Sequence, residues 1–111
     1  KLIRSIAEME KHTEEALSRD EIARRVGLSR RQLERLFSKH LGCSPSRYYL
    51  ELRLTRSRQL LWQTNKSVTE VALACGFTSL PHFSKCYREF FGVSPREARR
   101  NNVVTTLRRS S

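Results

Sequence analysis

Several classes of protein are excluded by what this sequence does not contain. It has three cysteines, Cys43, Cys75 and Cys86, an odd number with no Cys-x-x-Cys spacing. That argues against a disulfide framework and fits a reducing compartment, with the thiols buried or half-buried. His82 and Cys86 stand four apart, but a zinc site needs further ligands that the spacing does not supply. No metal and no cofactor are expected. The longest unbroken apolar run, Val71–Cys75, is far short of the ~20 residues of a membrane span, which rules out an integral membrane protein. No basic start, apolar core and small-residue cleavage site marks a signal peptide. A nucleophile with its base and a phosphate-cradling loop are also missing, so an enzyme is not expected. An RNA-binding module lacks its stacking aromatics or Gly-x-x-Gly clamp.

Acidic residues are scarce over most of the chain. The 111 residues hold 22 Lys and Arg against 11 Asp and Glu, a net charge of +11. Residues 1–28 balance, with six of each sign, so residues 29–111 carry 16 basic and 5 acidic side chains. Such an excess favours a polyanion, nucleic acid first and an anionic membrane second. A helical adaptor for acidic surfaces is the competing reading, and it needs no duplex preference. With 38% hydrophobic residues, the chain is too apolar to be disordered throughout. Its size suits one domain or two very small ones. The first residue is Lys, which suggests a piece of a longer chain.

Almost every segment reads as helix. Leu2, Ile3, Ile6 and Met9 predict an amphipathic helix over residues 1–11. Ser18-x-x-Glu21 is a capping box, followed by Ile22, Ala23 and Val26 inward and a stop at Gly27. Ser29, with Gln32 in the reciprocal place, opens a helix with Leu33, Leu36, Phe37 and Leu41 inward, and Gly42 ends it left-handed. Ser44-Pro45 opens the longest helix, Pro45 to Gln63, about 28 Å at 1.5 Å per residue. Its Tyr48, Tyr49 and Trp62 read as core rather than base-stacking residues. Ser67-x-x-Glu70 is a second capping box, with Val71, Ala72 and Ala74 after it and a stop at Gly76. Thr78 or Ser79 caps a helix with Phe83, Tyr87 and Phe90 inward, and Pro81 is tolerated in its first turn. Gly92 ends it, and Ser94-Pro95 opens a last short helix. Residues 101–111 read as a frayed or disordered tail.

The sequence repeats itself. At a shift of 49, Ser18 meets Ser67, Glu21 meets Glu70, Ala23 meets Ala72 and Gly27 meets Gly76. After one inserted residue the shift is 50, and Leu33 meets Phe83, Phe37 meets Tyr87, Gly42 meets Gly92 and Pro45 meets Pro95. Each copy is a short capped helix, a turn with glycine and a longer capped helix, the helix-turn-helix layout. The second helix of copy one leaves Arg30, Arg31, Glu34, Arg35, Ser38 and Lys39 outward. That of copy two leaves Pro81, His82, Ser84, Lys85 and Arg88. A basic helix stripe of this kind suits the major groove.

These residues resemble those of the AraC/XylS transcription regulators. The resemblance is carried by Val71-Ala72-Leu73-Ala74-Cys75-Gly76-Phe77, His82-Phe83-Ser84-Lys85-Cys86-Tyr87 and Phe91-Gly92-Val93-Ser94-Pro95. It is carried also by Leu28-Ser29-Arg30-Arg31-Gln32-Leu33-Glu34-Arg35-Leu36-Phe37, by Ser44 to Tyr49 and by Arg53-Leu54. It covers about Ser18 to Arg99, and its wording looks most like the GlxA-like subgroup, where a glutamine-amidotransferase-like sensor domain precedes the DNA-binding region. Ser57 stands where the family usually has Ala, and Tyr87 where it usually has Phe.

The resemblance implies an all-α fold of seven helices: a first helix-turn-helix subdomain (1–44), a linker helix (45–63) and a second subdomain (64–100). It implies a sequence-specific double-stranded DNA-binding domain, with two recognition helices entering successive major-groove segments about 34–36 Å apart. It further implies a bacterial cytoplasmic regulator at the nucleoid, activation through RNA polymerase, and no membrane partner. The isolated piece is expected to be monomeric, and the parent dimeric through a missing N-terminal part. Arg31 and Arg35 are the leading base readers, since arginine pairs bidentately with guanine. Glu34 is read either as an acceptor for a cytosine amino group or as a partner of Arg30, Arg31 or Ser38 within the helix. Leu80, Pro81, His82, Ser84 and Lys85 match the family's contact positions; Leu80 and Pro81 suit a thymine methyl, and His82 is equally a capping or half-core residue. Arg30, Lys39 and Arg88 flank the stripes, toward phosphate. Ser29, Thr78 and Ser79 stand at helix N-termini that suit phosphate. Arg47 and Arg96, taken to occupy matching places after Ser-Pro, are expected phosphate anchors.

Overall fold

The computed structural model describes residues 1–101. Among them are seven helices and no strand: α1 Leu2–Lys11, α2 Arg19–Arg25, α3 Arg30–Leu41, α4 Pro45–Gln63, α5 Val68–Ala74, α6 Leu80–Phe91 and α7 over residues 95–101. Asn101 is thus helical, and the remainder of the expected tail, 102–111, lies outside the described residues. The chain forms two compact units, Lys1–Arg53 and Leu54 onward, so α4 gives its first half to one and its second half to the other.

The helix ends are built as the sequence prescribes. Ser29 Oγ accepts the Gln32 N–H while the Gln32 side chain accepts the Ser29 N–H, a complete capping box. Ser67 and Glu70 form another. At Ser18 only half the box forms: Ser18 Oγ accepts the Glu21 N–H, but the Glu21 carboxylate pairs with Arg24 at 2.6 Å and Arg25 at 3.2 Å. Two cations one turn away outcompete a single backbone donor. The Arg25 guanidinium is held above its usual pKa by the hydrogen bonds it donates to Glu21 and then to Glu8.

Both two-helix units turn the same way. The Leu28 N–H donates to Ala23 O at 2.8 Å and the Gly27 N–H to Arg24 O at 3.2 Å. The counterparts are Phe77 to Ala72 at 3.0 Å and Gly76 to Leu73 at 3.1 Å. This is a Schellman turn. It needs one residue at positive φ, supplied by Gly27 at 72° and Gly76 at 82°. The connection from α5 to α6 is one residue longer than that from α2 to α3.

The first unit closes over Met9, Ile22, Ala23, Leu33, Phe37 and Tyr49. The Tyr49 hydroxyl accepts the Leu17 N–H and donates to His12 O, tying the segment after α1 to α4. Two expected core positions are exposed, and Leu36 and Tyr48 are half-buried. Ile3 is 82% exposed while Ser5 is fully buried, its hydroxyl donating to Lys1 O at 2.8 Å. Leu41, in the last turn of α3, is 39% exposed.

The second unit packs Leu54, Leu61, Val71, Ala72, Cys75, Phe83, Tyr87 and Ala98. Rings run through it: Phe77 to Phe83 at 5.0 Å, Phe83 to Tyr87 at 5.8 Å and Tyr87 to Phe91 at 4.6 Å between centroids. Arg58 lies over Phe91 at 4.4 Å and Trp62 at 4.9 Å. Trp62 is 42% exposed, not core, but its indole N–H donates to Ala98 O at 3.1 Å. Arg99 donates to Leu61, Thr64 and Lys66 carbonyls, pinning α7 to the end of α4. Ser57 is fully buried, and its hydroxyl donates to Leu54 O at 2.6 Å. The Tyr87 hydroxyl is buried without a partner among the described residues.

Two expectations follow. A Cβ at Gly27 would meet only Lys1 Nζ, at 3.8 Å. Gly27→Ala therefore costs about 1 kcal/mol through conformation alone, and Gly27→Asn costs less, as urea unfolding will report. Tyr87→Phe removes a hydroxyl that is desolvated and unpaired, and stabilises the chain by about 1 kcal/mol. Burial pushes the Tyr87 phenol up to about 12, against the opposing charge of Arg58. The unfolded chain ionises this phenol near pH 10, so wild-type stability falls as pH rises from about 10 to about 12. Unfolding curves of Tyr87→Phe across that window should lack this component.

Candidate DNA-reading surface

α3 and α6 are each buried along one stripe and open along the opposite one. Leu33 and Phe37, and fifty residues later Phe83 and Tyr87, are fully buried. Arg31 and Arg35 in α3, and Pro81 and Lys85 in α6, occupy equivalent exposed places. The helical period that buries the first set forces the second set outward.

On α3 the outward residues differ in how they are engaged. Arg31 and Arg35 are exposed, and among the described residues neither side chain has a hydrogen bond or ion pair. Lys39 and Ser38 are also exposed. Glu34 accepts from Arg30 Nε at 3.4 Å, one of the two roles read for it, and also from Arg19 Nη1 at 3.2 Å. Arg19 belongs to α2, and its part here was not foreseen. A signal was present in the repeat: Arg19, Arg30 and Glu34 correspond to Val68, Leu80 and Ser84, so three charges are lost together in the second copy.

α6 presents a less charged stripe. Leu80 is 37% exposed, Pro81, His82, Lys85 and Arg88 are exposed, and Ser84 is half-buried. Ser79, not Thr78, caps the helix: its Oγ accepts the His82 N–H at 3.3 Å. Thr78 is the inserted residue of the turn, so Ser79 is the counterpart of Ser29. The His82 ring leans on Phe77 with centroids 6.0 Å apart and lies 3.8 Å from Cys86 Sγ. It therefore combines an exposed edge with a packing role.

Arg47 and Arg96 are both exposed but not equivalent. The Arg47 N–H donates to Ser44 Oγ, and in the second unit it is the Glu97 N–H that donates to Ser94 Oγ, each at 3.1 Å. Arg47 thus corresponds to Glu97, and Arg96 to Ser46. Arg47 Nε also donates to Glu51 at 2.9 Å. Among the described residues no group of three or more His, Cys, Asp or Glu could hold a metal ion. None of their helices is long and apolar enough to cross a membrane.

Comparison with known proteins places this geometry in a family. The model of a helix-turn-helix domain matches residues 22–101. The chain is 62% identical over 104 residues to the HTH-type transcriptional regulator GbdR of Pseudomonas aeruginosa, covering 94% of this chain and 28% of that protein. A crystal structure of an AraC-type transcriptional regulator from Chromobacterium violaceum superposes with a TM-score of 0.88 at 57% identity, over 91% of this chain and 90% of that one. The DNA-binding domain of AdpA, solved in complex with a target DNA, superposes with a TM-score of 0.85 at 30% identity, over 90% of each chain. The chain thus belongs to the AraC-type helix-turn-helix family, as a DNA-binding domain of a transcriptional regulator.

Proposed function

We propose that this domain reads specific duplex sequences with two recognition helices, α3 and α6, each laying its outward stripe in the major groove. The observation that carries this reading is the pair Arg31 and Arg35. They stand one turn apart on α3, exposed and uncommitted among the described residues. Each offers a planar fork that matches guanine O6 and N7. On α6, Leu80 and Pro81 offer apolar surface to a thymine methyl, while Ser84, Lys85 and the free edge of His82 add polar contacts. The AdpA domain, alike in fold and bound to its target DNA, supports the same mode here.

Phosphate contacts set the register and carry no base information. The N-termini of α3 and α6, at Ser29 and Ser79 with Thr78 beside it, direct backbone N–H groups at such an anion. Lys39, Arg88 and Arg96 supply cations around the stripes. Arg47 is a weaker anchor, since a phosphate must first draw it from Glu51. The chain spans just over a quarter of the length of GbdR. Effector sensing and dimerisation are assigned to other parts of a full-length regulator, and this segment binds as a monomer. Its setting is the bacterial cytoplasm at the nucleoid, with RNA polymerase the partner in activation.

Selection from random duplex DNA tests the reading, which requires enrichment of a site with two short blocks about 10 base pairs apart. On the selected site Arg31→Ala or Arg35→Ala should lose about 1–3 kcal/mol and relax one base position. Equal weakening on every sequence would remove the base-reading role. Arg96→Ala should weaken all duplexes alike and lower the salt slope by about 0.9. An unchanged slope in titrations at several salt concentrations would exclude direct phosphate neutralisation.

A further inference from the structure

We propose that Glu34 is a specificity-determining residue of the first recognition helix. Its carboxylate holds Arg19 and Arg30 in ion pairs and so keeps two cations from adding affinity for any duplex, whatever its sequence. Arg31 and Arg35 are then left to decide which duplex is bound. The inference rests on the DNA-reading role of α3 proposed above.

The geometry is a shared acceptor. One oxygen, Oε1, takes Arg19 Nη1 at 3.2 Å and Arg30 Nε at 3.4 Å. Arg19 and Arg30 are the first residues of α2 and α3, and Glu34 lies one turn into α3 beside Arg35. All three side chains are partly open to solvent, between 39% and 52% exposed. They can therefore meet DNA, and their pairs are weak enough to exchange with phosphate.

Weak exchange is what the role requires. A cation free to neutralise a phosphate raises affinity for every sequence, because the counterions it releases are the same everywhere. Discrimination depends on the ratio of specific to non-specific binding, so such cations dilute it. A carboxylate that occupies two of them, and is itself repelled by phosphate, lowers binding to unmatched duplex. Contacts made by Arg31 and Arg35 to the right bases are untouched, since neither is paired with Glu34.

The repeat supplies an internal control. The second unit has Val68, Leu80 and Ser84 in the three places, yet it makes the same turn and buries the equivalent stripe. The fold does not need the ion pairs. They occur in the unit whose reading positions hold Arg31 and Arg35, and not in the one that holds Pro81 and Lys85.

The test compares the 111-residue chain with Glu34→Gln and with Glu34→Gln/Arg19→Ala. Each is titrated on random duplex and on the selected site, from about 50 to about 200 mM salt. Glu34→Gln should bind random duplex about tenfold tighter at low salt, with a slope steeper by about 1 to 2. The selected site should gain less, so the selectivity ratio drops. Adding Arg19→Ala should take back about one unit of slope. Urea unfolding of Glu34→Gln should match wild type. An unchanged slope and ratio would show that the ion pairs only shape the surface, and the proposal falls. A changed preference at one base pair with an unchanged slope would overturn it in favour of a direct base contact by Glu34. Failure of the wild-type chain itself to bind duplex would remove the DNA-reading assignment and this proposal with it.

Discussion

Each outward helix takes its direction from a pair of main-chain hydrogen bonds. In the first unit they run from Leu28 to Ala23 and from Gly27 to Arg24, and in the second from Phe77 to Ala72 and from Gly76 to Leu73. They give the last carbonyls of α2 and α5 the partners that a helix end otherwise lacks. With them, the residue after each glycine is delivered to the core and the next helix must start within two or three residues. The stripe that faces a ligand is therefore fixed by backbone geometry before any basic side chain is considered.

Packing and charge then divide the labour. The buried stripe of α3 contains Leu33 and Phe37, that of α6 contains Phe83 and Tyr87, and all four have no solvent exposure. Their burial leaves the opposite face free to carry charge that the core could not hold. In the first unit Glu34 pairs with Arg30 of that face and with Arg19 of α2, while Arg31, Arg35 and Lys39 have no ion pair among the described residues. In the second it carries fewer charges, with Leu80 and Pro81 beside Lys85 and Arg88. The two helices thus share a scaffold while differing in the side chains they present.

Much of this was legible in the sequence because local rules and tertiary structure agree. Pro45–Gln63 forms over the span expected, since Ser44 and Pro45 fix its start and nothing within it breaks the pattern. The boxes at Ser29–Gln32 and Ser67–Glu70 close with both of their bonds. The Ser18–Glu21 box stays half-formed because Arg24 and Arg25 offer Glu21 better donors. Ile3, Leu41 and Trp62 fit a helical period but stay 82%, 39% and 42% exposed, which periodicity cannot report. The offset of Arg47 from Arg96 is visible once Ser44 and Ser94 are aligned. The link from Arg19 to Glu34 was not legible by local rules, because two helices must first be packed before their side chains meet.

The coincidence of buried and exposed positions at a spacing of fifty residues has a consequence for how such a domain can change. Residues 80, 81, 84 and 85 may be exchanged for their counterparts at 30, 31, 34 and 35 without a new demand on the interior, since each pair occupies the same environment class of its helix. The exposed face of one helix is in this sense transferable to the other. Drift in what the domain reads can then proceed one face at a time, while the grammar of caps, turns and aromatic packing stays constant.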